Sequence, residues 1–248
     1  MKFLIFFLLC SSFSYAKTNT RISNCPEGEH FVKAHFRRGY VTSSGKVVAP
    51  ANVKAHCRVN PESYSFWQPK FTDKKIDNWP HKKEVFKNWS PDEIERVLEA
   101  LSELPNSLWS EKIRGIYRAS KSHDFPNPAT SADGIIILYD TAFDPSRNLP
   151  RILAHELAHQ SYWDLSQGDR KSYWYSLNWF PRNKQETIFI SRKDGYIQDD
   201  GRESPWEDYA NNVDSFLFEP EKLKRVTPYA YNWIKEHFGD KFTVRKGK

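Results

Sequence analysis

RILAHELAHQSYW, residues 151–163, is the stretch on which the reading of the whole chain turns. His155 and His159 stand four apart, and a helix stacks such residues on one face with about 5–6 Å between Cβ atoms. Both rings can therefore offer a nitrogen to one metal ion. Glu156 projects about a quarter turn away from His155, close enough to hydrogen-bond a water held by that ion. Ile152, Leu153, Leu157 and Ala158 make the rest of the surface apolar, as a buried helix requires. Two imidazoles do not complete a site, so a third protein ligand must come from elsewhere in the chain.

The positions after His159 that would carry the Gly and His of one large zinc-peptidase class are Tyr162 and Leu165, which excludes that class. No histidine follows until His237, so the candidate is a carboxylate. In SPWEDYANNVDSFLFEP, 204–220, Ser204 and Pro205 signal a helix start, and Glu207, Ala210, Asn211 and Asp214 fall on one face of the helix. Glu207 is the candidate third ligand and Asp208 the alternative. Ala210 is small enough to let this helix lie close to the histidine helix. Asp214 is a candidate to hydrogen-bond the outer nitrogen of a ligand histidine and fix its tautomer. The expected ion is Zn2+, which lowers the pKa of a bound water to roughly 7, with Glu156 placed to accept its proton.

HELAH followed by E-D-Y-A at 207–210 resembles the zinc metallopeptidases called gluzincins, the kind that includes the anthrax lethal factor catalytic domain. The resemblance covers residues 88–240. It implies an α+β fold with a zincin-like domain, His155, His159 and Glu207 as ligands and Glu156 as base. It also implies that the strand in GIIILYD, 134–140, is a sheet edge that pairs with extended substrate. Members of this kind carry a tyrosine before the ligand glutamate that stabilises the oxyanion, and Tyr196 is the candidate here.

The flanking sequence sets the context. MKFLIFFLLCSSFSYA, 1–16, has a basic start, a short apolar run and small residues at the end, the pattern of a secretory leader cleaved after Ala16. The apolar run is too short for a retained span. Cys10 lacks the small preceding residue of a lipid-attachment signal, so soluble export, periplasmic or secreted, is expected. Cys25 and Cys57 then remain in an oxidising space. A disulfide between them is the expectation and two free thiols the alternative. The formal charge of +6, one less without Lys2, favours approach to anionic envelope polymers or lipids. Scattered basic residues and the lack of a nucleic-acid module argue against nucleic acid.

Four units are expected: the leader at 1–16, a small basic β module at 17–60, a linker or wrapping segment at 61–89 and the catalytic domain at 90–248. In the module, VKAHFR (32–37) and VKAHCR (53–58) flank GYVTSSGKVVAP, which reads as a hairpin turning at Ser43-Ser44-Gly45. Its His35 and His56 read as exposed strand residues. Ser90, Pro91, Asp92 and Glu93 open a helix with an apolar stripe at Ile94, Val97, Leu98 and Leu101. Residues 111–119 read as a short strand or a helix. The run at 134–143 reads as a strand buried on both faces or at a groove lip, 149–163 as helix, 170–203 as mixed strand and loop, and 205–218 and 227–238 as helices. The aromatic run SYWYSLNWF, 172–180, walls a groove or packs the core. The expectation is an exported, monomeric zinc metallopeptidase acting on a protein or peptide. A catalytically silent, zinc-stabilised envelope-binding protein is the alternative.

Overall fold

Alternation of β-branched and polar residues folds the N-terminal segment back on itself. The structure, a computed structural model, describes residues 29–244 except 33, 42–44, 46, 55, 60, 61, 78, 82, 124, 125 and 191–194. The leader, Cys10, Cys25 and the Ser43-Ser44 step therefore lie outside the described residues, and so does the expected bond between Cys25 and Cys57. Six short strands form three antiparallel ladders: β1 (Glu29–Val32) with β6 (His56–Val59), β2 (His35–Arg37) with β5 (Ala51–Val53), and β3 (Tyr40–Val41) with β4 (Val47–Val48). The near-repeat now has a structural meaning, because its two copies pair with each other across one hairpin. Val32 lies opposite His56, and His35 opposite Val53.

The described residues of the segment expected at 61–89 lie along the core and do not bridge away from it. α1 (Glu62–Trp67) buries Tyr64 and Trp67, and Trp89 is buried at the far end. Between them, Phe71 bridges to Ile116 and Phe86 to Ala119. α2 (Pro91–Ser102) begins at a capping box, with the Ser90 side chain accepting from the Glu93 N–H and the Glu93 carboxylate accepting from the Ser90 N–H. Val97, Leu98 and Leu101 of its stripe are buried, and Ile94 packs against the same core.

β7 (Gly115–Arg118), β8 (Ala129–Ala132) and β9 (Ile135–Leu138) form one sheet in the order β7-β9-β8, with β9 parallel to β7 and antiparallel to β8. The strand at 134–140 is thus central, not the edge that the resemblance implies. An all-apolar β-branched run suits a place covered on both sides. Ile136 and Leu138 enter the main core, whereas Ile137 and Tyr139 enter a second cluster covered by Ile76, Trp79 and Phe86 of the wrapping segment. The two edges are β7, met on its outer side by the main chain of Thr72 and Lys87, and β8, whose ATSA sequence is small and half-polar.

α3 (Leu149–Asp164) packs on β8 and on α2. Where the sequence reads as mixed strand and loop, α4 (Gln167–Ser176) forms, capped by Ser166 accepting from the Asp169 N–H. Among the described residues, two two-residue strands, β10 (Phe180–Pro181) and β11 (Phe189–Ile190), follow before 205. Tyr173, Trp174, Leu177 and Trp179 of the aromatic run are buried in the core, whereas Tyr175 and Phe180 are exposed. α5 (Pro205–Phe218), α6 (Pro220–Val226) and α7 (Pro228–Phe238) complete a mixed α+β fold of seven helices and small sheets among the described residues. α5 lies against α3 more extensively than any other element, with Ala154, Ala158 and Ala210 fully buried.

Candidate metal centre and its cleft

Two helix starts set the site. Asn148 caps α3 by accepting from the Arg151 N–H, which fixes the helix phase that puts His155 and His159 on its cleft side. Ser204 caps α5 by accepting from the Glu207 N–H at 3.1 Å, which puts Glu207 in the first turn. The three side chains meet. His155 Nε2 and His159 Nε2 are 3.1 Å apart, and Glu207 Oε2 is 3.3 Å from His159 Nε2 and 3.7 Å from His155 Nε2. Four donors about 2.0–2.1 Å from a tetrahedral ion stand roughly 3.3 Å apart, so this spacing fits one ion. Among the described residues these are the three metal-ligating side chains that converge in this way, and they can hold a metal ion. All three are only half-buried, which leaves a fourth side open to solvent.

The surroundings fix the first of these ligands. Asp214, from the same helix as Glu207, places Oδ2 3.5 Å from His155 Nδ1. Its carboxylate is held by Arg151, whose Nε and Nη2 donate to Oδ1 at 3.1 and 2.9 Å, and by Gln198 Nε2, which donates to Oδ2 at 3.2 Å. Arg151 Nη1 also pairs with Glu219 at 2.6 Å, so one guanidinium joins the start of α3 to the end of α5. Burial would push the His155 imidazole down, but the facing Asp214 and Glu207 carboxylates outweigh it and push its pKa up to about 10. Burial likewise opposes ionisation of Glu207, and hydrogen bonds from His155 and His159 hold its carboxyl far below the usual range. Glu156 is buried beside them. Desolvation raises its pKa despite the two imidazoles, the direction that favours proton uptake by a carboxylate.

The chain matches no family model, no curated protein and no solved structure. Its chemistry must therefore be read from the site alone.

The triad opens into a cleft of about 620 Å³, with β8 along one wall and Gln198, Asp200 and Trp206 along another. Of the residues singled out in the sequence, His155, Glu156, His159, Glu207 and Asp214 line it together. Asp208 does not reach the triad. One helical step turns it inward, where Oδ2 accepts from Trp179 Nε1 at 2.8 Å and Oδ1 from Asn212 Nδ2 at 3.0 Å. Tyr196 is not a lining residue either, because its ring packs edge-on to Trp179 and under the Arg202 guanidinium. Arg151, Gln198 and Gln160 escape a reading by motif. Gln160 accepts from the Gly134 N–H at 3.1 Å and donates to the Ala132 carbonyl at 2.6 Å, locking α3 to the β8–β9 turn. Its position directly after HELAH was the signal for it.

Proposed function

We propose that this chain is a zinc-dependent peptidase. The observation that carries the reading is the meeting of His155, His159 and Glu207 at an open cleft that also holds a buried glutamate and a free sheet edge. When bound, zinc supplies Lewis acidity that polarises a carbonyl and acidifies water. The chain's own residues supply the rest. Glu156 takes a proton from the attacking water and later gives it to the leaving amine. Asp214, braced by Arg151 and Gln198, keeps the His155 ring in one tautomer and orientation.

β8 supplies the means of holding an extended peptide. Tyr139 N–H donates to the Pro128 carbonyl, so antiparallel alternation commits Thr130 and Ala132 to β9 and turns the main-chain groups of Ala129 and Ser131 outward. The Ala129 N–H makes a long bond to Asn127 Oδ1 at 3.4 Å, and a peptide lying along the cleft can pair with the Ser131 main chain and the Ala129 carbonyl, as strands added to a sheet edge do. Export by the leader, and tethering of the enzyme to an anionic envelope by the N-terminal hairpin, belong to the same proposal. Unimpaired binding to isolated envelopes after deletion of residues 25–60 would refute the tether.

The zinc-stabilised binding protein without turnover is the second reading. A structural zinc site closes its fourth position with protein, which the half-buried triad does not favour. Incubation of the zinc-loaded chain with a mixed peptide library, with products read by mass spectrometry, separates the two. The peptidase reading expects defined cleavages that disappear on chelation and in Glu156→Gln. Intact peptides from a zinc-loaded sample would leave only the binding protein.

A further inference from the structure

Two tryptophans flank the triad at one end of the cleft. Trp163 lies one helical turn beyond His159, and Trp206 immediately precedes Glu207. Their rings are 5.8 Å apart and tilted by 36°, and both line the cleft. Trp163 is 52% exposed, although Trp67 and Trp179 of the same chain are fully buried. Trp206 is half-buried and backed by Phe189, so the wall has a packed support. A large ring left facing water beside a reactive centre loses the burial that stabilises its counterparts in the core, and regains it only when something flat covers it.

The direction of β8 says which part of a substrate meets this wall. Ser131 Oγ donates to the Glu156 carbonyl, and the next residue, Ala132, is bonded to Gln160, so β8 and α3 advance together towards Trp163. The opposite end of the cleft is lined by Asn127, Arg147 and Asn148. An extended peptide pairs more stably antiparallel to an edge strand than parallel to it. It then enters with its N-terminal part at Trp163 and leaves with its C-terminal part at Arg147. Resting on the peptidase reading above, we propose that Trp163 and Trp206 select a large aromatic side chain on the N-terminal side of the scissile bond.

The test uses the zinc-loaded full chain and fixed polar peptides in which a single Phe, or Ala in its place, is moved along the sequence. The preferred peptides carry Phe upstream of the cut, with kcat/KM at least about tenfold above their Ala counterparts, the scale that a filled apolar pocket gives. Trp163→Ala brings that ratio close to one, Trp163→Phe retains most of it, and Tyr229→Ala, an exposed residue of α7 that does not line the cleft, leaves it unchanged. Fluorescence polarisation of the same peptides on zinc-loaded Glu156→Gln reads the wall without turnover. Cleavage with no upstream preference, with a downstream one, or with one that Trp163→Ala does not move refutes the wall and leaves the peptidase reading standing. Absence of cleavage together with Phe-dependent binding lost in Trp163→Ala keeps the wall and refutes the peptidase. If cleavage and Phe-dependent binding are both absent, both fall.

Discussion

At the scale of single residues, the site separates three duties that a substitution can test one at a time. Glu156→Gln keeps the shape of the side chain and removes the proton acceptor, so turnover falls about a hundredfold to ten-thousandfold while metal content stays as in the wild type. Asp214→Asn acts through His155. It weakens the charge facing Nδ1, and zinc affinity measured against a competing chelator falls about tenfold to a hundredfold. An Asp214→Asn chain that bound zinc normally would remove Asp214 from the account. The three converging side chains were legible because each is tied to a local signal: a four-residue histidine spacing, and a helix start at Ser204-Pro205 that places Glu207 in the first turn. Asp208 and Tyr196 show where such reading ends. A one-residue choice between neighbouring acids depends on helix phase against a partner, and a tyrosine's reach depends on a loop path that no periodicity encodes.

At the scale of elements, the buried Glu84 holds the wrapping segment to the sheet and the half-buried Glu93 holds α2 to it, and stability should follow their titration. Glu84 accepts from Trp79, Tyr139 and His123, and Glu93 accepts from the Arg118 guanidinium at 2.8 Å. Burial opposes the charge of both carboxylates, but these hydrogen bonds prevail and hold both pKa values below the ordinary 4.5. Groups with lowered folded-state pKa values stabilise above the unfolded value, and the contribution is lost as pH falls below about 4.5 and through the folded values. Urea unfolding should therefore show falling stability below that pH, with a smaller fall in Glu84→Ala, which starts about 1–3 kcal/mol less stable at neutral pH. A variant whose pH profile ran parallel to that of the wild type would contradict this. Ser90→Ala removes half of a capping box and should cost about 1 kcal/mol in the same assay. Helix starts such as Ser90-Pro91 were readable because a cap is local, whereas sheet order was not. The Asp133-Gly134 pair did carry a hairpin signal, with Gly134 at φ +67° and a Cβ there only 2.6 Å from the Lys112 carbonyl. Read as a turn, it places a partner strand before residue 134, but the parallel pairing with β7 that leaves that partner at an edge has no local signal. α4 was hidden by its aromatic content, since Tyr and Trp favour strands intrinsically and only burial of Tyr173 and Trp174 on one side decides for helix.

At the scale of the whole molecule, the fold serves to bring one helix start to another. α3 carries the two imidazoles and the proposed base, α5 the carboxylate that could complete the metal site and the Asp214 facing His155, and the Arg151 guanidinium links them through Asp214 and Glu219. Metal bound across both helices stabilises the folded chain by mass action, about 2.7 kcal/mol at a free concentration a hundred times Kd, so chelation should lower Tm. The α+β class and the pairing of these helices were within reach of the sequence. The way the wrapping segment covers the second face of the sheet was not, because nothing repeats in it and its anchors, Trp79 and Phe86, are isolated aromatics. The most direct test is the zinc content of the purified, folded chain: about one ion per chain in the wild type and in Glu156→Gln, and close to none in Glu207→Ala. A chain that binds no zinc, or one whose zinc is untouched by loss of Glu207, would contradict the metal centre and the hydrolytic function built on it.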